Sequence, residues 1–335
     1  MLPWVECATI DLDLARPLST RFDDVPQEAI EKGKQLLKAI AQEMPPAAGL
    51  LADAVRLRTG RRFYDEVQAL ARRFGVDWRA TMLANISYDL ALATFGCSAV
   101  ALPTPAGPVL ARNMDWWPEE ALARASFRIR GFEDHRLILA HAGWPGAVGV
   151  VTGLSGRGFA VALNAVSGPE GVDKTGYPVL LHIRRVLDDA ADFKAALLML
   201  SEQRLAAPCL LTLVGVRNEE RVVIERSPRR HALRWPQAGR ALVVTNDYRQ
   251  LFTPQAHDGG EIHQTTCTRF EALSRFFEQH TAENAVEDAT LLYILSDPAV
   301  IQDITAQHVI MRPAQRELRV FVPRRLLDVA RTSSP

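Results

Sequence analysis

Gly96-Cys97-Ser98-Ala99-Val100-Ala101-Leu102-Pro103-Thr104-Pro105-Ala106-Gly107-Pro108-Val109-Leu110-Ala111-Arg112-Asn113-Met114-Asp115-Trp116-Trp117 is the stretch on which the architecture of this chain turns. Two apolar runs flank Pro103–Gly107, a turn-rich segment. The runs pair as a hairpin centred near 105–106, which sets Cys97 opposite residues around 114. Arg112 and Asp115 then arrive at the same end of the sheet as the Cys97 thiol. Successive strand side chains point to opposite faces, so both reach the sulfur only if the strand bends or ends there. Trp116, Trp117 and Pro118 favour an ending. A guanidinium beside a thiol stabilises the thiolate, the reactive form. Were Cys97 a chain terminus, its own α-amine, with a reference pKa of about 7.7–8.0, could serve as the base. A carboxylate such as Asp115 could hold that amine. One residue would then supply nucleophile and base, and no catalytic histidine would be needed. The competing reading is bland: a cysteine opening a strand is more often a small buried hydrophobe. Charged residues at strand ends are ordinarily solvated.

Upstream of this stretch the pattern is helical. Asp24 can cap a helix carrying Ile30, Leu36, Leu37 and Ile40 at helical spacing, and Met44-Pro-Pro stops it. Further helices are expected over 48–58, 61–73 and 77–93. At Phe95-Gly96-Cys97 the character changes, and strands are expected over 97–102, 107–113, 127–131, 136–141, 147–152 and 158–164. Helices over 178–188 and 190–203 follow, then strands over 209–216, 220–226, 231–235 and 240–245. Helices over 264–280 and 284–296 precede closing strands over 307–312 and 316–322. Strands in blocks and helices in blocks predict an α+β fold, a sandwich of two antiparallel sheets between helical layers. A helical front segment, 1–96, precedes a mixed body, 97–335.

Composition narrows the function classes. Lys plus Arg (39) balance Asp plus Glu (39), so no global field attracts nucleic acid or an anionic membrane. No apolar run approaches the roughly 18 residues of a membrane-spanning helix. Cys7, Cys97, Cys209 and Cys267 are scattered, without the spacing of a disulfide scaffold or a zinc site. The eight histidines show no metal-ligand spacing, and His182 and His263 read as ordinary helix residues. With no basic-then-apolar leader at the start, a reducing cytoplasm is the expected location.

Gly96-Cys97-Ser98 followed after a hairpin by Ala111-Arg112-Asn113-Met114-Asp115-Trp116 resembles the processing site and first hairpin of the acid ceramidase and N-acylethanolamine acid amidase family. These are N-terminal-nucleophile (Ntn) cysteine hydrolases, relatives of bile salt hydrolase, penicillin V acylase and the isopenicillin N acyltransferases. Ile10-Asp-Leu-Asp-Leu-Ala-Arg-Pro17 looks like the start of the acid ceramidase propeptide. Gly158-Phe-Ala-Val-Ala-Leu-Asn164 is similar to the family's second active-site strand, and Val243-Val-Thr-Asn246-Asp-Tyr to its Thr-Asn segment. Thr268-Arg269 matches the place of a late active-site arginine, and Thr305–Pro313 with Glu317–Phe321 resembles the closing strands. The likeness covers nearly the whole chain.

The resemblance implies self-cleavage before Cys97, with the front segment staying bound. Cys97 is then the nucleophile, Arg112 favours its thiolate, and Asp115 partners the new α-amine. Asn246 donates to the oxyanion, with Asn164 and Arg269 completing the site. The implied reaction is hydrolysis of a linear amide of an apolar acid through a thioester, with no cofactor. Acyl transfer from the same thioester is one alternative, and a non-catalytic binding module is another. Self-association is left open. Animal acid ceramidases carry Glu after the asparagine of the second strand where Ala165 stands here, so acyl chain and amine are not defined. Other candidates have plain readings. Gly153-Leu-Ser155-Gly-Arg157 lacks the last glycine of a nucleophile elbow. Asn85-Ile-Ser87 sits in an expected helix, and Cys209 reads as core. Cys267 reads as packing or site lining, while Trp116, Trp117 and Trp144 wall an acyl pocket or pack in the core.

Overall fold

The computed structural model describes residues 2–42, 49–90, 95–237, 239–252 and 264–328. Its first hairpin follows from its sequence. β3 (Phe95–Leu102) and β4 (Val109–Trp116) pair antiparallel, with Leu102 opposite Val109 and Cys97 opposite Met114. The turn between them needs Gly107, whose φ is +96° and whose missing side chain would meet the Val216 carbonyl at 2.8 Å. β4 is longer than expected: it continues through Asp115 to Trp116 rather than stopping near 113, because β13 (Thr305–Arg312) pairs along its length.

Among the described residues the strands form two sheets. The first is antiparallel and runs β1 (Trp4–Glu6), β14 (Glu317–Pro323), β13, β4, β3, β12 (Leu242–Val244). The second has eight strands. Its order is β11 (His231–Arg234), β10 (Arg221–Arg226), β9 (Cys209–Val214), β8 (Phe159–Ala165), β7 (Thr152–Ser155), β6 (Arg136–Gly143), β5 (Phe127–Glu133) and β2 (Thr9–Asp13). It is antiparallel apart from the β2–β5 pair. Alternation along β8 shows the layering: Phe159, Val161 and Leu163 join the helix-side core, while Ala160 and Ala162 face the other sheet. On β3, Ala99 and Ala101 face between the sheets and Val100 and Leu102 face outward. Both faces of each sheet are buried, so these strands read as nearly continuous apolar runs. Alanines at Ala99, Ala101, Ala140, Ala142, Ala160 and Ala162 keep the space between the sheets shallow.

Outside the eight-stranded sheet lie α1 (Gln27–Gln42), α2 (Gly49–Arg58), α3 (Tyr64–Phe74), α4 (Trp78–Asn85) and α5 (Ser87–Leu90), with α7 (Val179–Asp189) and α8 (Phe193–Glu202). A short α6 (Glu119–Arg124) follows β4. Outside the other sheet pack α9 (Thr266–Phe276) and α10 (Asp288–Leu295), and α11 (Arg325–Asp328) follows β14. This is the expected α+β sandwich of the Ntn-hydrolase type. No helix among the described residues is long and apolar enough to cross a membrane.

Three local expectations are corrected. The front segment is not wholly helical: β1 pairs with β14 and β2 with β5, so it adds a strand to each sheet. Thr9-Ile-Asp-Leu-Asp13 does alternate with the period of a strand, but its partners lie more than a hundred residues away. The expected strand over 147–152 is absent until Thr152, because the amide N–H groups of Val148 and Gly149 donate to Asn85 Oδ1 rather than to a neighbouring strand. The expected helix over 77–93 breaks at Ile86. The Met44-Pro-Pro stop, residues 91–94 and His263 lie outside the described residues.

Asn85 is therefore a bracket, not a surface acceptor. Its Nδ2 donates to the Thr81 and Gly146 carbonyls while Oδ1 takes two amide N–H groups. Replacing Asn85 with alanine is expected to cost about 3 kcal/mol, since each buried group left unpaired costs about 1–3 kcal/mol. A melting temperature unchanged from the parent would exclude this bracing role.

Candidate active site

β3 and β4 position the thiol by their register. Cys97, Ala99, Arg112 and Met114 share the face of the sheet that looks toward β7 and β8. Cys97 and Arg112 are both fully enclosed. The guanidinium donates through Nη2 to Cys97 Sγ at 2.6 Å, through Nη1 to Thr152 Oγ1 at 2.5 Å and through Nε to its neighbour's carbonyl, Asn113 O, at 3.2 Å. Thr152 belongs to the facing sheet, so the arginine bridges both layers.

Asp115 faces the other way. Because β4 does not end, Asp115 takes the same side as Asn113, away from the sulfur. Its backbone pairs with Gly96, and its Oδ1 accepts from Thr305 Oγ1 at 2.6 Å. Its Oδ2 is buried and has no hydrogen-bond partner among the described residues. The carboxylate thus sits beside the Gly96–Cys97 bond rather than on the thiol, which differs from the expectation that both side chains reach the sulfur.

Asn246, two residues past the end of β12, holds the main chain of Cys97. Its Oδ1 accepts from the Cys97 amide N–H at 3.1 Å and from Arg269 Nη2 at 2.8 Å, while Nδ2 donates to the Ala165 carbonyl at 2.8 Å. These partners leave one sensible orientation of the side-chain amide. The amide's acceptor end is directed at the Cys97 nitrogen, with its donor end on Ala165 and not toward the sulfur. Asn246 is itself anchored, its N–H donating to Thr266 Oγ1, which in turn bonds Asp247 Oδ1.

Arg269, buried on α9, grips the same segment from outside the sheet. Nη1 donates to the Cys97 carbonyl at 2.6 Å and to Ser98 Oγ at 2.9 Å. Asn164 faces the inter-sheet space on β8. Its Nδ2 donates to the Thr245 and Val244 carbonyls at 3.0 and 3.3 Å, and its Oδ1 has no hydrogen-bond partner among the described residues. Five of the six residues singled out from the sequence, Cys97, Arg112, Asp115, Asn246 and Arg269, thus meet at Gly96–Cys97, while Asn164 bonds the carbonyls that precede Asn246. Thr152, Thr266 and Thr305 were not singled out. Of these, only Thr305 lies in a quoted motif, and a lone hydroxyl gives no local signal.

Electrostatics follow from burial. Removal from water pushes the Cys97 thiol above its ordinary range; Arg112 pulls against this, Asp115 adds to it, and the amides of Asp115 and Ala165 oppose it. Burial therefore outweighs the arginine, although Arg112 acts in the expected direction. Burial likewise raises the Asp115 carboxyl, with Arg269 the largest opposing influence.

The remaining candidates fall elsewhere. Cys209 is buried in the helix-side core and burial pushes its thiol up to about 12; Cys267 is exposed. Ser155 donates to the Leu187 carbonyl, and His182 on α7 bonds the Met199 carbonyl on α8. Trp116 and Trp144 meet edge-to-face at 5.7 Å, and Trp117 is exposed. Trp144, with Ile10, Leu70 and Phe74, lines an apolar cavity beneath the front segment, on the helix side of the eight-stranded sheet and away from the thiol.

Comparison with known proteins places these features in context. A family profile described as acyl-coenzyme A:6-aminopenicillanic acid acyl-transferase matches residues 103–298, more than half of the chain, beginning just after Cys97. A Caenorhabditis elegans N-acylethanolamine-hydrolyzing acid amidase is 22% identical over 322 residues, covering 90% of this chain and 88% of that protein. A solved structure of a Caenorhabditis elegans N-acylethanolamine-hydrolyzing acid amidase ortholog superposes with a TM-score of 0.52 at 20% identity, over 65% of this chain and 93% of the other.

Proposed function

This chain belongs to the acyl-coenzyme A:6-aminopenicillanic acid acyl-transferase family, and from that premise we propose that it is a self-processing cysteine amidohydrolase that cleaves linear N-acyl amines. The observation that carries the proposal is the enclosed pair of Arg112 and Cys97, set on a peptide bond whose nitrogen is held by Asn246. A guanidinium drawn out of water onto a sulfur has little structural advantage over an apolar pair. Its advantage appears when the sulfur carries charge.

In scission, Cys97 Sγ adds to the Gly96 carbonyl carbon and the Gly96–Cys97 C–N bond breaks. The nitrogen takes a proton and becomes the α-amine. Water then hydrolyses the Gly96 thioester, releasing the Gly96 carboxylate and restoring the thiol. The new amine lies beside Asn246 Oδ1, which already accepts from that nitrogen. It also lies at the level of Asp115, whose unpaired Oδ2 is a ready partner for an ammonium. In turnover the α-amine accepts the thiol proton, and the thiolate adds to the substrate's amide carbonyl. Asn246 Nδ2 and the Ala165 amide are the proposed donors to the oxyanion. The departing amine takes the proton back, and water hydrolyses the acyl thioester to free acid.

Incubation followed by intact-mass measurement tests the first half: two fragments ending at Gly96 and starting at Cys97 are expected. The front fragment should stay bound, since it supplies β1 and β2, one strand to each sheet. Gel filtration of the cut protein should give one particle that separates only in denaturant; spontaneous loss of residues 1–96 would refute this arrangement. Turnover is tested with a panel of N-acyl amines varied in acyl length and headgroup. The name of the matched family favours one second reading, transfer of the acyl group to an amine instead of water. Competing amines added to the assay would then appear as new amide products.

A further inference from the structure

We propose that Thr152 is a positioning residue that holds the Arg112 guanidinium on the Cys97 sulfur from the facing sheet. The inference rests on the reading of Cys97 as the nucleophile and deepens it. Arg112 donates to three acceptors among the described residues: the sulfur, the carbonyl of its own neighbour Asn113, and Thr152 Oγ1. The carbonyl lies on β4 itself and cannot fix where the end of the guanidinium points. Thr152 is the contact that comes from outside the hairpin. It is fully buried, and its backbone is fixed on both sides by pairing with Ala142 and Ala162.

The fork geometry of a guanidinium couples its two ends. With Nη1 pinned to Thr152, rotation about the last side-chain bonds is blocked and Nη2 stays on the sulfur. Without the hydroxyl, a buried N–H loses the acceptor it has from the facing sheet. The guanidinium then turns toward another acceptor or admits water, and its hold on the thiolate weakens. The other charged or titratable groups around the sulfur are Asp115 on β4, Arg269 on α9 and Tyr88 on α5. Asp247, beyond β12, acts on Arg269. None of them bonds Arg112, so none replaces Thr152 in this task.

The test is the pH dependence of Cys97 alkylation by iodoacetamide, read by peptide mass, beside kcat and KM on the same sample. Thr152→Val keeps the volume and removes the acceptor. It should move the alkylation midpoint up by about one pH unit, a tenfold loss of thiolate at fixed pH. kcat/KM should fall about tenfold in the same range, chiefly through kcat. Thr152→Ser, which keeps the hydroxyl, should return both toward the parent. Should the valine variant not fold, Thr152→Ala carries the same sign of shift. An unchanged midpoint in folded Thr152→Val or Thr152→Ala, or failure of serine to restore it, would overturn the proposal. The alkylation midpoint reports on the sulfur whether or not Cys97 turns over substrate. A Cys97→Ala protein that remained active would therefore remove the nucleophile assignment, and an unmoved midpoint would remove Thr152.

Discussion

Cys97→Ala is expected to remain a single 37.1 kDa chain and to lose turnover by at least about 10⁴-fold, the scale seen when a covalent nucleophile is removed. Both losses come from one atom, since the proposed scission and the proposed turnover use the same sulfur. The variant should still fold, because Cys97 is a small buried side chain and its replacement removes little volume. Arg112 loses an acceptor, so a modest fall in melting temperature is expected. Alanine in place of Cys7, Cys209 or Cys267 should leave turnover near that of the parent. Burial pushes the thiols of Cys7 and Cys209 up to about 12, and neither bonds a cation. The readout is intact mass and turnover on the same preparation. Amide hydrolysis surviving in folded Cys97→Ala would end the proposal.

Asn246 separates the two steps. Its acceptor oxygen holds the Cys97 nitrogen and Arg269 in the uncut chain, whereas the oxyanion role requires its donor nitrogen. Asn246→Asp keeps an acceptor beside Arg269 and removes the donor. This variant is expected to cut normally at Gly96–Cys97 and then to show kcat lowered by about 10²–10³, or about 3–4 kcal/mol, with KM little changed. Asn246→Ala removes both ends and is expected to slow scission as well. The measurements are scission rate by mass, then kinetics and melting temperature on fully processed protein. A normal kcat in Asn246→Asp would take the side-chain amide out of the oxyanion role. A loss matched by unfolding would assign it to structure instead, as the residue that ties β12 to β3.

The layered fold was legible because its evidence is local. The turn at Pro103–Gly107 fixed the register of the first hairpin, and blocks of strand and helix defined the layers. Two short strands, Trp4–Glu6 and Thr9–Asp13, escaped because their pairing energy lies in β14 and β5, and three or five residues carry too little pattern of their own. The stretch over 147–151 looked like a strand for its valines. What prevented a ladder was the side chain of Asn85, sixty-odd residues away.

What the sequence alone determined is the chemistry available: a cysteine at the helix-to-strand boundary, an arginine and a carboxylate on the adjoining strand, and a distant asparagine and arginine. Residue type and hairpin spacing suffice for that, since both act over a few residues. The tertiary structure decided which groups meet. Continuous pairing of β4 with β13 turned Asp115 away from the sulfur, toward Thr305 and the level of Gly96. The close approach of two alanine-lined sheets set Thr152 against Arg112. Burial then pushed the thiol upward against the pull of its arginine, because removing charge from water outweighs one nearby cation. None of these is written in any short stretch of chain, since each depends on the distance between surfaces that only folding brings together.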